Sequence, residues 1–427
     1  MFHQLTNYLM MFRVFLFVYI LNSPFAFAKT CDFFCNGKSK NHTLEFINFS
    51  IDCDTIIIHE GIYFFNFNKI FLKSNLVIKA YGKVEINGLE NGIMKKENPV
   101  AIFTSVNPKN LKISNITFCD IDNRAYAIKI VNKKINVPLQ SNVYITENIA
   151  KEIGLVWFGP KNGFTYNRIK KGTEKMTWYE NGPILKNEWV SNIKINNNII
   201  KGASKFFSGN FKKPHVGVGV SAITVLYSNN VFIKNNLISN YRFGIWIYGG
   251  SSLDRKGENL STQPILCENI SVKNNKIYET YSPIWFSKTS DIKVSNNYCE
   301  NNQDVAIDFE GCYNAYVDNN TIINSRGGSL TVLNGSKNIS FFKNLIEMIN
   351  FNKQNNIVLI RNANENINYT KNKFIFKDSR ILKKNARILL TKKHANFKPN
   401  SQINFFYNKL FEVELVNLDK SSLTVKN

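Results

Sequence analysis

A heptad ending in Asn-Asn-x-Ile recurs along the chain, the residues between copies alternate apolar and polar, and no helical period of comparable length follows residue 28. Together these features predict an all-β solenoid, a right-handed parallel β-helix of about ten coils with loop insertions and a C-terminal cap.

The repeat is explicit. Lys194 to Ile200 reads KINNNII, Phe232 to Ile238 FIKNNLI, Ser271 to Ile277 SVKNNKI, Lys293 to Cys299 KVSNNYC and Tyr316 to Ile322 YVDNNTI. Looser copies lie at Lys112 to Phe118, Ser340 to Ile346, Asn368 to Phe374 and Asn404 to Leu410. The starts at 271, 293, 316 and 340 are 22, 23 and 24 residues apart, the length of three short strands and their turns. The starts at 194, 232 and 271 are 38 and 39 apart, coils that carry loops. A unit this short cannot bury its own apolar face, so neighbours must stack. Asn198, Asn236, Asn275, Asn297, Asn320, Asn344, Asn372 and Asn408 share one heptad position. Asn tolerates left-handed turn geometry, and stacked one coil apart these amides can form an internal ladder.

Residues 1–28 read as a secretory signal, with Arg13 ahead of the apolar run Val14 to Leu21 and Ala26-Phe27-Ala28 as the cleavage pattern. The remaining 29–427 read as one solenoid domain, with 29–53 as an N-terminal cap and 350–427 as irregular last coils and cap. Export permits disulfides, and Cys31, Cys35 and Cys53 cluster where they could staple the cap. Seven cysteines leave at least one unpaired in a monomer, the expected state. Cys299 reads as a small buried apolar residue.

The chain holds 54 Lys+Arg against 31 Asp+Glu, a formal charge of +23. That excess points to an anionic partner, although an AT-rich genome writes lysine in the same way. Export and the lack of any zinc, helix-turn-helix or RNA-binding pattern argue against nucleic acid and for an acidic polysaccharide or a charged cell surface.

Asp54 to Tyr63 (DTIIIHEGIY), Ser74 to Lys79 (SNLVIK) and Gly82 to Gly88 (GKVEING) resemble the opening coils of the pectin-lyase-like superfamily, and the Asn-Asn coils resemble its generic repeat. The resemblance covers about Asp54 to Ile346. It implies the β-helix fold and a choice among polysaccharide lyases, glycoside hydrolases, uronan epimerases, phage tailspikes and non-catalytic surface proteins. Fold alone does not choose.

Aligning the strand after each heptad gives Gly-Ile-Trp-Ile-Tyr at 244–248, Pro-Ile-Trp-Phe-Ser at 283–287, Ala-Ile-Asp-Phe-Glu at 306–310 and Ser-Leu-Thr-Val-Leu at 329–333. Period two turns the isoleucines inward and sends Trp246 and Tyr248, Trp285 and Ser287, Asp308 and Glu310, then Thr331 outward. Aromatics leading to paired carboxylates form a saccharide groove: sugars stack on Trp246, Tyr248 and Trp285, and the acids wait at the bond. Asp304, Asp308 and Glu310 share that face, with the Cα atoms of Asp308 and Glu310 about 6.6 Å apart. They suit acid and base for glycoside hydrolysis, or ligation of Ca²⁺ in a lyase. Asp304 and Asp308 resemble part of the calcium motif of pectate lyases, with Val305 where a further acid would stand. The Asp-Asp and Gly-His-Gly signatures of polygalacturonases are absent. A lyase also needs a base and a cation, for which Lys288, Arg326 and Arg242 lie near. Long inserts at 159–188 and 201–221, the second with His215, wall the groove. The sequence thus supports an exported enzyme on an acidic polysaccharide or a non-catalytic glycan-binding β-helix.

Overall fold

The computed structural model describes residues 28–35, 40–89, 100–119, 125–132, 141–160, 190–202, 221–253, 259–262, 265, 267–325, 327–348, 356–377, 386–391, 396–418 and 420–426. Arg326, His215, most of both inserts and nearly all of the expected signal lie outside them.

Every ladder between named strands is parallel, and the strands fall into a 24-stranded sheet (sheet A) and a 12-stranded sheet (sheet B). Each coil gives sheet A one longer strand and one short strand, and sheet B one strand. The result is a right-handed parallel β-helix with twelve sheet-B rungs among the described residues, two more than the repeat suggested. The inserted coils stay adjacent in space: Lys194 pairs with Phe232 and Phe232 with Ser271, across sequence steps of 38 and 39.

The core is one continuous column. Ile245, Ile284, Ile307 and Leu330 stack inside, and so do Ile247, Phe286, Phe309 and Val332, all with no exposed surface. Phe286 and Phe309 lie face to face at 5.2 Å.

Where the heptad turns a corner, two amides divide the work. The first Asn takes the left-handed conformation, with φ of 59° at Asn197, 57° at Asn235, 55° at Asn274 and 54° at Asn296. The second turns inward and builds the ladder. Asn198 Nδ2 donates to Asn236 Oδ1 at 2.9 Å, Asn236 to Asn275 at 2.9 Å, Asn275 to Asn297 at 3.0 Å and Asn297 to Asn320 at 2.9 Å. Each Oδ1 also accepts the backbone N–H of the Asn one coil below, as Asn297 does from Asn275 at 3.0 Å. The strained position is therefore one residue earlier than the ladder position. Lys343, Lys371 and Tyr407 accept the strain where the ladder Asn is 344, 372 or 408.

The N-terminal end is closed. Strand Thr30–Phe33 pairs with the first long strand, helix Thr43–Ser50 lays Phe46 against Phe33, Phe65 and Phe103, and a disulfide joins Cys31 to Cys53. Cys35 keeps its thiol, 3.6 Å from His42 Nε2. Cys299 is fully buried.

The C-terminal coils hold their sheet-A register and shift once in sheet B, between Asn356 and Val358. Ile339, Ile367, Ile403 and Leu423 continue the register without slip. No capping helix appears among the described residues after 350, and Leu410, Phe411, Leu418 and Val425 are exposed.

Candidate active site on the outer face of sheet B

Two outward columns run along sheet B. The first carries Trp157, Thr224, Trp246, Trp285, Asp308 and Thr331 in register. The second carries Leu226, Tyr248, Ser287, Glu310, Leu333 and Arg361. Adjacent rungs are about 4.8 Å apart, so each side chain touches its neighbour.

Trp246 and Trp285 are half-buried and stack at 5.6 Å with 6° between their planes. Phe243 packs 5.5 Å from Trp246 and 5.2 Å from Trp285, and the Arg242 guanidinium lies over Phe243 at 5.1 Å. Tyr248 points outward but only 2% of it is exposed, because it packs with Leu226, Tyr227 and Trp157 in a second apolar cluster on this face. It supports Trp246 and cannot stack on a sugar, contrary to the sequence expectation. Ser287 is likewise covered, its hydroxyl donating to Gly250 O at 2.8 Å.

The three acids come together. Burial raises the pKa of Asp304, while the Tyr281 hydroxyl, the backbone of Val305 and the Arg242 charge pull it back. Gly327 leaves the space its carboxyl occupies; a methyl group there would run into Asp304 Oδ1. Burial pushes Asp308 well above the ordinary carboxylate range, and the charges of Glu310 and Asp304 push it further, against Arg361 and its neighbour's backbone N–H. Burial lifts Glu310 to about 7, with Asp304 adding to the rise and Ser252 and Arg361 opposing it.

A hydrogen-bond chain fixes Glu310. Asn362 Nδ2 donates to Asn334 Oδ1 at 2.9 Å, Asn334 Nδ2 donates to Ser252 Oγ at 3.0 Å, and Ser252 Oγ donates to Glu310 Oε2 at 3.2 Å. Asp308 has no such support. Its Oδ1 is buried without a hydrogen-bond partner, as are Trp285 Nε1 one rung below, Thr331 Oγ1 one rung above and Arg361 Nε. An orphaned buried polar atom costs about 1–3 kcal/mol. Four such atoms within one patch mark a place whose polar groups are held for something other than stability.

Lys288 does not join the acids. It sits in the turn after its strand with φ of 46°, is 7% exposed, and donates from Nζ to Ser261 O at 3.0 Å. Burial lowers its pKa. Arg242 does join them, beside Asp304 and Tyr281. Arg326 and His215 lie outside the described residues. Among the described residues no three of His, Cys, Asp and Glu are arranged to hold a metal ion.

Sequence reasoning missed Arg361, Tyr281 and Ser252. Arg361 would have emerged by extending the strand alignment to 356–361, where it occupies the column of Glu310. Ser252, 58 residues from Glu310, left no sequence signal.

A family model described as the right-handed beta helix region matches residues 100–260 and 263–375, more than half of the chain. The chain belongs to the right-handed β-helix family. Among solved structures, the mannuronan C-5 epimerase A-module from Azotobacter vinelandii is similar to it, with TM-score 0.52 and 11% identity over 87% of this chain and 90% of that one. The polygalacturonase of Erwinia carotovora ssp. carotovora is similar too, with TM-score 0.52 and 10% identity over 93% of this chain and 97% of that one. At these identities the likeness is one of fold. No curated protein matches the sequence.

Proposed function

We propose that the chain is an exported, carbohydrate-active β-helix protein whose sheet-B patch cleaves an acidic polysaccharide by acid/base chemistry. The observation that carries this reading is the register of Trp246, Trp285 and Asp308 on three successive rungs, with Glu310 beside Asp308 and titrating near neutrality. Two interacting carboxyls lose their protons as a pair. Asp308, raised by burial and by the charges of Glu310 and Asp304 and with no partner for its Oδ1, is assigned the role of the acid towards the glycosidic oxygen. Glu310, oriented by Ser252 and drawn down by Arg361, is the base. It takes a proton from water in hydrolysis, or from the sugar carbon next to the carboxylate in lysis. Arg361, two rungs above Glu310, is suited to hold the sugar's carboxylate, which would otherwise be repelled by this patch. The Trp pair supplies the platform.

The Cys31–Cys53 disulfide supports passage through an oxidising compartment. No described helix is long and apolar enough to cross a membrane. The test is turnover of polyuronates and neutral glycans by the wild type, Asp308→Asn and Glu310→Gln. Cleavage that both variants lose by about 100-fold or more supports the mechanism. Ultraviolet-absorbing unsaturated ends identify lysis; new reducing ends without that absorbance identify hydrolysis. Binding without turnover would instead support a non-catalytic glycan-binding protein.

A further inference from the structure

The opposite long face of the solenoid carries a feature that the sheet-B site does not use. In the longer strands of sheet A, Lys194, Phe232, Ser271, Lys293 and Tyr316 stand in one outward column. Two residues along each strand, Lys234 and Lys273 stand on the two rungs between Lys194 and Lys293. Four consecutive coils thus each present a lysine, at a rise of about 4.8 Å per coil. Lys194, Lys234 and Lys293 are exposed and Lys273 is half-exposed.

Aromatic rings share the line. Phe232 is 40% exposed and Tyr316 43%. Lys194 Nζ lies 5.2 Å over the Tyr144 ring, one rung below. None of these four lysines makes an ion pair among the described residues. The nearest acid in the two columns is Asp318, one rung beyond Ser295, where the line ends. Asp291, at the strand margin, is engaged by Ser290 and Asn314. Unpaired like charges at coil spacing are unfavourable for folding, so their alignment needs another reason.

We propose that this face is a second binding surface, separate from the sheet-B site, for a linear anionic polysaccharide lying along the solenoid axis with one acidic group per sugar. A sugar unit is about as long as one coil is high, so successive acidic groups meet successive lysines while ring faces stack on Phe232 and Tyr316. A lipid surface would want a broader apolar patch than these rings give, and a nucleic acid would want charge on more than one narrow line. The surface would hold the chain on its polymer while the other face works, and it stands whether or not that face is catalytic.

The experiment uses the full chain and polygalacturonate as probe, measured by affinity electrophoresis, with a neutral glucan, anionic phosphatidylglycerol vesicles and duplex DNA as comparisons. A variant with Lys194, Lys234, Lys273 and Lys293 all changed to Gln, made in the wild-type and the Asp308→Asn background, is compared with Phe232→Ala, Asp308→Asn and the wild type. The expected result is salt-sensitive retention by polygalacturonate alone, weakened about tenfold or more by the quadruple change, in the wild-type and the Asp308→Asn background alike. Phe232→Ala weakens retention with its salt dependence intact. An unchanged thermal melt for the quadruple variant shows that its fold is kept. Equal retention of the quadruple variant, or tighter binding of the wild type to vesicles or DNA, would overturn the proposal.

Discussion

Replacing Glu310 with Gln should stabilise the protein at alkaline pH and leave acid stability nearly unchanged. Burial raises the Glu310 carboxyl from 4.5 to about 7. A folded-state pKa above the unfolded one means that the folded chain binds the proton more tightly. The benefit is complete below about pH 4.5 and is lost as the pH rises towards 7, because the folded state must then hold a buried carboxylate. A rise of that size corresponds to about 3 kcal/mol. Glutamine keeps the shape and the acceptor for Ser252 but carries no charge. The variant should therefore match the wild type near pH 4 and exceed it by about 2–3 kcal/mol at pH 8.5. Urea denaturation of both proteins across that range is the assay. The same stability difference at both ends of the range would refute the buried-carboxyl account.

Other consequences follow from the same structure. Asn297→Ala removes an acceptor that serves both the backbone N–H and Nδ2 of Asn275, each at 3.0 Å, and the loss of these two buried partners should cost about 2–6 kcal/mol in urea denaturation. Reducing the Cys31–Cys53 bridge, which spans 22 residues, should cost about 3 kcal/mol, read as a lower melting temperature with reductant. Arg361→Met removes the cation that holds both Asp308 and Glu310 down, so the acidic limb of any pH–rate profile should move to higher pH.

The solenoid was legible because its two periods are rigid. Side chains alternate along a strand and coils repeat after about 22 residues, so the sequence alone aligns Trp246, Trp285, Asp308 and Thr331. What alternation cannot report is cover. Tyr248 points outward as its position requires, yet Leu226 and Tyr227 close over it. Lys288 follows the strand of the next rung, Ser282–Ser287, but the left-handed turn aims it at Ser261. The hydroxyl that orients Glu310 comes from Ser252, on a loop after an earlier rung, and no repeat encodes that reach. The inward Asn ladder was readable, whereas the strain fell one residue earlier, on Asn197 and its equivalents.

The central claim is that Asp308 and Glu310 act as an acid/base pair poised near neutrality. The most direct measurement is the pH dependence of polyuronate cleavage by the wild type and by Asp308→Asn. The account predicts a bell-shaped wild-type profile whose acidic limb lies near pH 7, set by ionisation of Glu310, and a variant slower by about 100-fold or more with the alkaline limb gone. Cleavage by Asp308→Asn at the wild-type rate with an unchanged profile would contradict it.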